Sequence, residues 1–515
     1  MNLKKIIPWH TILFSFYPVI YLYERNIQET FLREIIFLPL VVMILALIFF
    51  FIINFIIENI YKSGLIVTVL LFFTFSYGPL YYTGFKNIFN KSIFLIIWLF
   101  FMLLVIGLIF CIKKDFIKIN KIINFSVIIL LLISLSNIFI YNIKNQNIGH
   151  ALVSNKDFEK FEIDNRELPD IYYLIFDRYG RDDVLEDYFN FDNNYFTTTL
   201  EKRGFYIADK SHSNYLKTAH SLNSSLNMKY LNEMAKKVSK EKSDWMPLYL
   251  SLRGESEVSK RLKNNNYYYI HSGSWWGATA INETADKNIN NLKKGPIFFA
   301  RQLYDMTIFS TLNKKLSIKF PFLNRFDFYY KNTLEQFNNL NKIPNIKQPT
   351  YSFFHFLLPH DPYVFDEKGN YVSKDESSKN SERENYIKQL KFTNSQILKF
   401  IEKALSKEGQ KPIIILQADE GPYPERWWPE DSYKKMSWET ASNKEFKVKN
   451  SILNAYYLPN VDTSDLYPEI TPVNTFRYIF NKYFNTDYEY LPDKLYSHTD
   501  WYHPYDFFEI TERIK

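Results

Sequence analysis

A single cysteine, Cys111, stands among 515 residues. It lies inside an apolar run, so no intramolecular disulfide can form, and the rest of the chain cannot build a cysteine-ligated zinc site. Lack of disulfides does not bar an exported domain if its core is large. There is no internal repeat, and no low-complexity segment beyond an Asn/Lys bias. A basic excess is also missing where nucleic acid would need it. The chain holds 62 Lys+Arg and 55 Asp+Glu; residues 1–150 take 12 and 5 of these, leaving 50 of each. That neutral remainder has no surplus for a clustered basic face, which excludes nucleic acid as the expected partner.

What is present is an uneven distribution of apolar residues. Crossing a bilayer takes roughly 20 mainly apolar residues. Five stretches qualify as expected spans: Ile7–Leu22, Ile35–Ile57, Gly64–Tyr82, Ser92–Ile112 and Ile123–Ile143. The first is interrupted by His10 and Pro18, and no small-residue cleavage site follows it, so it reads as a span rather than a signal peptide. Lys4 and Lys5 precede the first span, and Lys113, Lys114, Lys118 and Lys121 lie between the fourth and fifth. With five spans both groups share one side, the cytoplasm by the positive-inside rule. The expected organisation is a transmembrane block over 1–145, a polar linker over 146–167 and an extracytoplasmic domain over 168–515. Four spans would instead leave that domain in the cytoplasm. The expected location is the bacterial cytoplasmic membrane.

Beyond the linker, Ile171–Phe176, Tyr267–Ile270, Tyr351–Leu358 and Ile413–Leu416 are continuous apolar runs suited to strands buried on both faces. Helical stretches alternate with them, such as Ser381–Lys407 with Ile387, Leu390, Ile397, Phe400 and Ile401 on one stripe. The fold class is therefore a helical membrane block followed by an α/β domain with a mostly parallel sheet flanked by helices. Ligands in such folds gather beyond the carboxyl ends of the strands. Asp177, His271, His360, Asp361, Asp419 and Glu420 follow those ends closely. One Asp there is usually a turn or a cap; several along one sheet edge suggest a cleft. A helix is expected to begin near Thr218, where a hydroxyl serves either as an N-cap or as an anion-facing nucleophile.

Asp177 after a strand, Thr218 in Thr-Ala-His-Ser-Leu, His360 in Leu-Leu-Pro-His-Asp-Pro-Tyr and the run Asp419-Glu420-Gly421 occur in that order. This order resembles the alkaline-phosphatase superfamily, in particular its membrane-anchored sulfatase-like branch of phosphoethanolamine transferases and lipoteichoic-acid synthases. Val473–Arg477 and Leu491–Asp493 resemble the tail of such domains. The resemblance implies a divalent metal bound by Asp177, Asp419, Glu420 and Thr218, with Thr218 also the nucleophile and His360 contacting the phosphate or the leaving group. Glu420 stands where the branch commonly has histidine. An all-oxygen set of this kind favours manganese, magnesium or calcium over zinc. The chain also departs from the cysteine-type sulfatases, because no Cys-x-Pro-x-Arg motif is present.

Asn214, Trp275 and Arg426 are further candidate substrate contacts, against plain readings as a loop polar residue, core packing and a surface ion pair. The function these readings imply is an enzyme moving a phosphate-containing head group from a membrane lipid, through Thr218, onto an envelope glycan or lipid. A phosphodiesterase or phosphatase of the same fold, and a non-catalytic envelope assembly protein, are the alternatives.

Overall fold

The computed structural model describes residues 7–113, 116–145, 168–289, 297–316, 324–428 and 432–514; the linker expected over 146–167 lies outside these. The chain divides into two compact units, residues 1–146 with 293–324, and residues 147–292 with 325–515.

The first unit is helical: α1 (His10–Arg25), α2 (Leu38–Ile57), α3 (Ile60–Leu80), α4 (Lys91–Cys111) and α5 (Ile117–Asn145). A π-helical turn, Tyr81–Phe85, extends α3. Helices suit this setting because every backbone donor is satisfied within the segment. Asn59 and Asn90 cap α3 and α4, each accepting two backbone N–H groups of the first turn. Among the described residues four helices are long and apolar enough to cross a membrane: Leu32–Ile57, Ile60–Phe85, Lys91–Cys111 and Ile117–Lys144. Their outward side chains include Ile44, Phe51, Leu104 and Phe139, all exposed. Such a surface is stable only against lipid, so the protein is an integral membrane protein.

α1 has 16 residues, about 24 Å at 1.5 Å per residue against about 30 Å of hydrocarbon. It nevertheless packs against α2, α3 and α5. His10 is fully buried, with Nδ1 2.6 Å from Thr68 Oγ1 and Nε2 2.8 Å from Asn120 Oδ1. At the other end of the helix, Glu24 accepts a hydrogen bond from Asn137 Nδ2 at 2.7 Å. α1 thus runs beside α5 in the same direction, and the histidine that interrupts its apolar pattern ties helices together rather than breaking one.

Residues 297–316, which the sequence reading places in the outer domain, fold with the helical block. Helices Ile297–Asp305 and Ile308–Leu316 set Phe299 and Leu303 among Val19, Leu22 and Tyr23, and set Ile308 among Tyr77, Tyr81 and Phe94. Short amphipathic segments are settled by the apolar surface available to them, which local sequence does not reveal.

The second unit is built on a seven-stranded sheet. β1 (Ile171–Phe176) lies at its centre, between β5 (Thr350–Phe356) and β6 (Ile413–Gln417). β3 (Tyr268–Ser272) and the short β4 (Lys287–Asn288) continue beyond β5, all parallel. On the other side β7 (Asn454–Tyr457) runs antiparallel to β6, and the edge strand β2 (Tyr206–Ile207) runs antiparallel to β7. The four apolar runs are thus β1, β3, β5 and β6. Helices cover both faces: the Tyr172 ring meets Phe400 of helix Glu382–Ser406 at 5.1 Å, and its neighbour Tyr173 meets Phe476 of helix Pro472–Tyr483 at 5.1 Å. Alternate residues of one strand facing opposite layers is the period of two expected of a strand. Ile175 of β1 is in register with His355 of β5 and Gln417 of β6. Asp177 and Asp419, two residues further along, therefore reach the same sheet edge.

Candidate functional site

Asp177 and Asp419 are 1% and 2% exposed. Asp177 Oδ1 and both oxygens of Asp419 lack hydrogen-bond partners of normal geometry. Beside them stands His355, fully buried, its Nε2 also unpartnered and 3.9 Å from Asp177 Oδ2. Its Nδ1 lies 2.8 Å from Thr279 Oγ1. With Nδ1–H donating there, Nε2 presents a lone pair to the carboxylates. Ligand-capable atoms of the three residues all lie within 4.8 Å of one another. Buried carboxylates without donors are costly. Burial, then Asp419 and Glu420, raises Asp177 well above the carboxylate range. Burial, then Glu420, pushes Asp419 up to about 7, while the Thr218 side chain beside it acts the other way. Burial, then His360 and His271, lowers His355 to about 3, so its ring is neutral at pH 7. A divalent cation would resolve all of these at once. The residues present fit one.

Thr218 is the first residue of helix Thr218–Asn227, and its N–H donates to Glu420 Oε2 at 3.1 Å. Glu420 does not join the unpartnered cluster. Its Oε1 is 2.5 Å from Lys449 Nζ and 3.4 Å from Arg178 Nε. Burial works to raise its pKa, but Lys449, then Lys217 and Arg178, outweigh that and the net shift is downward. Both its oxygens are engaged, which differs from the all-oxygen ligand set expected of it.

His360 follows β5. It is lowered to about 4 by burial and by Arg178, against the opposing pull of Asp361. The Trp275 indole meets it edge-on at 6.4 Å and stacks on Tyr329 at 4.3 Å. Trp275 therefore borders the site through His360. The Asn214 amide donates to Thr471 Oγ1 and the Lys494 carbonyl and accepts from the Val473 N–H, tying loops together. Arg426 bonds Thr440 and covers the Trp427 ring at 4.3 Å, on an exposed turn.

Sequence reasoning did not single out four residues: His355, Arg178, Lys217 and Lys449. The fully buried Lys449 sits 3.8 Å from the centroid of the Tyr423 ring. Lys217 is lowered to about 7, by burial first and against Glu420. An imidazole inside a mostly aromatic strand, whose other polar residues are only Thr350 and Ser352, was the available signal for His355. Lys449 gave none, because it lies in a short lysine-rich segment, Asn443–Asn450, whose composition does not distinguish a buried lysine from a solvated one.

Residues 190–502 match the family model described as Sulfatase. No curated protein matches the chain. Among solved structures, the chain is similar to the zinc complex of the C-terminal periplasmic domain of EptC from Escherichia coli (11% identity, TM-score 0.43, covering 69% of this chain and 96% of that one). It is also similar to the integral membrane lipooligosaccharide phosphoethanolamine transferase A of Neisseria meningitidis (13%, 0.39, 91% and 94%). A third is the periplasmic domain of phosphoethanolamine transferase EptC from Campylobacter jejuni (14%, 0.37, 68% and 97%).

Proposed function

Given that the chain belongs to the sulfatase family and is a sulfatase-like enzyme with a membrane block, we propose that it transfers a phosphate-containing head group from a membrane lipid onto an envelope glycan or lipid. The observation that carries this reading is the unpartnered Asp177–His355–Asp419 cluster beside a threonine at a helix N-terminus. Asp177, Asp419 and His355 would hold one divalent metal, and the imidazole returns zinc to the manganese, magnesium and calcium that oxygen ligands favour. When bound, the metal supplies charge stabilisation at the phosphoryl oxygens and acidifies the neighbouring hydroxyl.

The chain's own residues do the rest. Thr218 Oγ attacks phosphorus, its hydroxyl proton passing to the lipid alkoxide as that bond breaks, and the head group remains on Thr218 as a phosphodiester. The acceptor hydroxyl then displaces Thr218. His360, neutral at pH 7, takes the acceptor's proton in that second step and returns it to the departing Thr218 oxygen. Glu420 is a positioning residue: it holds the Thr218 backbone and two cations. The domain works outside the cytoplasmic membrane in this reading, where the anchor raises the effective concentration of lipid.

Intact mass spectrometry of the metal-loaded protein with donor lipids tests it. A head-group adduct on Thr218, absent in Thr218→Ala, is expected. Release of free head group with no acceptor product would make the enzyme a hydrolase instead.

A further inference from the structure

A cleft of about 550 Å³ opens on the α/β domain between helix Asn194–Lys202, with the turn before it, and helix Glu382–Ser406. That is within the usual size of a small-ligand site. Its floor is a set of polar side chains that satisfy one another. The Tyr179 hydroxyl donates to Asn394 Oδ1 at 2.6 Å, while Asn193 Nδ2 donates to the Tyr179 oxygen at 3.2 Å and to Asp182 Oδ1 at 2.9 Å. Asn394 Nδ2 donates to Asn193 Oδ1 at 2.8 Å, which leaves its second N–H for the cleft that it lines. A floor fixed in this way needs little ordering when a ligand arrives. The rim differs from the floor. Phe191 and Tyr195 stand on it, and Tyr195 is 81% exposed. A lone exposed tyrosine needs no explanation; one at the edge of a cleft floored with amides does. The charges around the cleft cancel, Lys391 and Lys399 against Asp192 and Glu402.

A sugar ring has a face of C–H groups and a rim of hydroxyls. The first suits the flat face of an aromatic side chain. The second both gives and accepts hydrogen bonds, which amides, carboxylates and ammonium groups supply together. A polyanion would meet two carboxylates as well as two ammonium groups and gain little. An apolar ligand would cover the polar floor without bonding to it. We propose that this cleft is a saccharide-binding site that takes uncharged sugar units, with Tyr195 as the stacking platform. It lies beside the catalytic centre and outside it. The hydroxyl of Tyr386 donates to the Arg178 carbonyl at 2.8 Å, and Asn394 is about 12 Å further along the same helix at 1.5 Å per residue. A few sugar units span that distance. Use of the cleft to retain an acceptor glycan rests on the proposed transferase reading; the binding itself does not.

Saturation-transfer nuclear magnetic resonance on the full-length protein, in a detergent without a sugar head group, tests this with chitotetraose, cellotetraose and maltotetraose at millimolar concentration. At least one should bind, and more tightly than the acidic tetragalacturonate. Tyr195→Ala should weaken it at least tenfold while leaving the thermal unfolding midpoint unchanged, since that side chain is mostly in water. Trp275→Ala, at the border of the catalytic centre, should leave it within about twofold. Failure of all three neutral tetrasaccharides to bind would overturn the proposal, as would tighter binding of tetragalacturonate. Loss of binding in Trp275→Ala but not in Tyr195→Ala would also overturn it, by placing the sugar in the catalytic cleft. Binding does not require turnover, so the two readings fail separately. Sugar binding that depends on Tyr195, without any Thr218 adduct, would sink the transferase alone; an adduct without sugar binding would sink the cleft alone.

Discussion

His355 sits near the carboxyl end of a mostly aromatic strand whose other polar side chains are the small hydroxyls of Thr350 and Ser352, an expensive place for an imidazole with one nitrogen unpaired. Its Nδ1 partner, Thr279, fixes which nitrogen is free, as outer partners of metal-bound histidines commonly do. If the cluster holds metal, His355→Ala should lower metal affinity by tenfold or more, and Thr279→Val should lower it about tenfold through loss of ring orientation. Competition with a chelating dye reads both. Glu420→Gln should behave differently. It leaves Lys449 buried and poorly compensated, which costs roughly 3–5 kcal/mol of stability, while metal stoichiometry stays the same. Thermal unfolding with metal analysis of the same sample separates the cases; loss of metal with stability intact would make Glu420 the ligand that the family resemblance implied. At this scale much was legible. Asp177, Thr218 and Asp419 sit where local signals operate, at strand ends and a helix start, so their convergence at one sheet edge could be argued from sequence. His355 and Lys449 could not be placed, because their roles depend on neighbours about 180 and 29 positions away in sequence, Asp177 and Glu420.

Among elements, the apolar runs read directly as strands and spans because burial on all sides leaves no polar face to confuse the pattern. The helices Ile297–Asp305 and Ile308–Leu316 were not legible as part of the membrane block. Their pattern is amphipathic and short, and it says that a surface is buried without saying against what. The contact depends on Gly78 near the end of α3. Its N–H donates to the Met306 carbonyl at 2.8 Å, and a Cβ added there would lie 2.8 Å from both the Met306 Cα and its carbonyl oxygen. Backbone atoms cannot yield as a flexible side chain can. Gly78→Val should therefore displace Met306 and cost on the order of 1–3 kcal/mol, the usual range for overpacking. Faster limited proteolysis within 297–316, with the fold of the α/β domain unchanged by near-ultraviolet circular dichroism, is the expected result. Proteolysis at the wild-type rate would show that the close approach does not persist in solution.

For the whole molecule the open question is the side on which the catalytic domain stands, and the helix boundaries change how it is decided. The four long helices place the loop around Lys113, Lys118 and Lys121 on the same side as Glu58 and Lys62, and place both residue 32 and residue 145 on the other. If the lysine-rich loop is cytoplasmic, the chain after α5 lies outside whether or not α1 crosses. What α1 decides is the position of Lys4 and Lys5. Its path beside α5, from His10 at Asn120 to Glu24 at Asn137, supports a short fifth crossing that returns those lysines to the cytoplasm. A change of one helix therefore moves the N-terminus and not the active site. Cysteine labelling resolves the two points separately, because Cys111 is the sole native thiol. In a Cys111→Ser background, Lys374→Cys on an exposed helix of the outer domain should react with an impermeant maleimide in intact spheroplasts. Lys5→Cys should react only after permeabilisation. Labelling of both from outside would leave the domain extracytoplasmic with α1 failing to cross; protection of Lys374→Cys would reverse the orientation and remove the lipid-facing envelope substrate on which the proposed transfer depends.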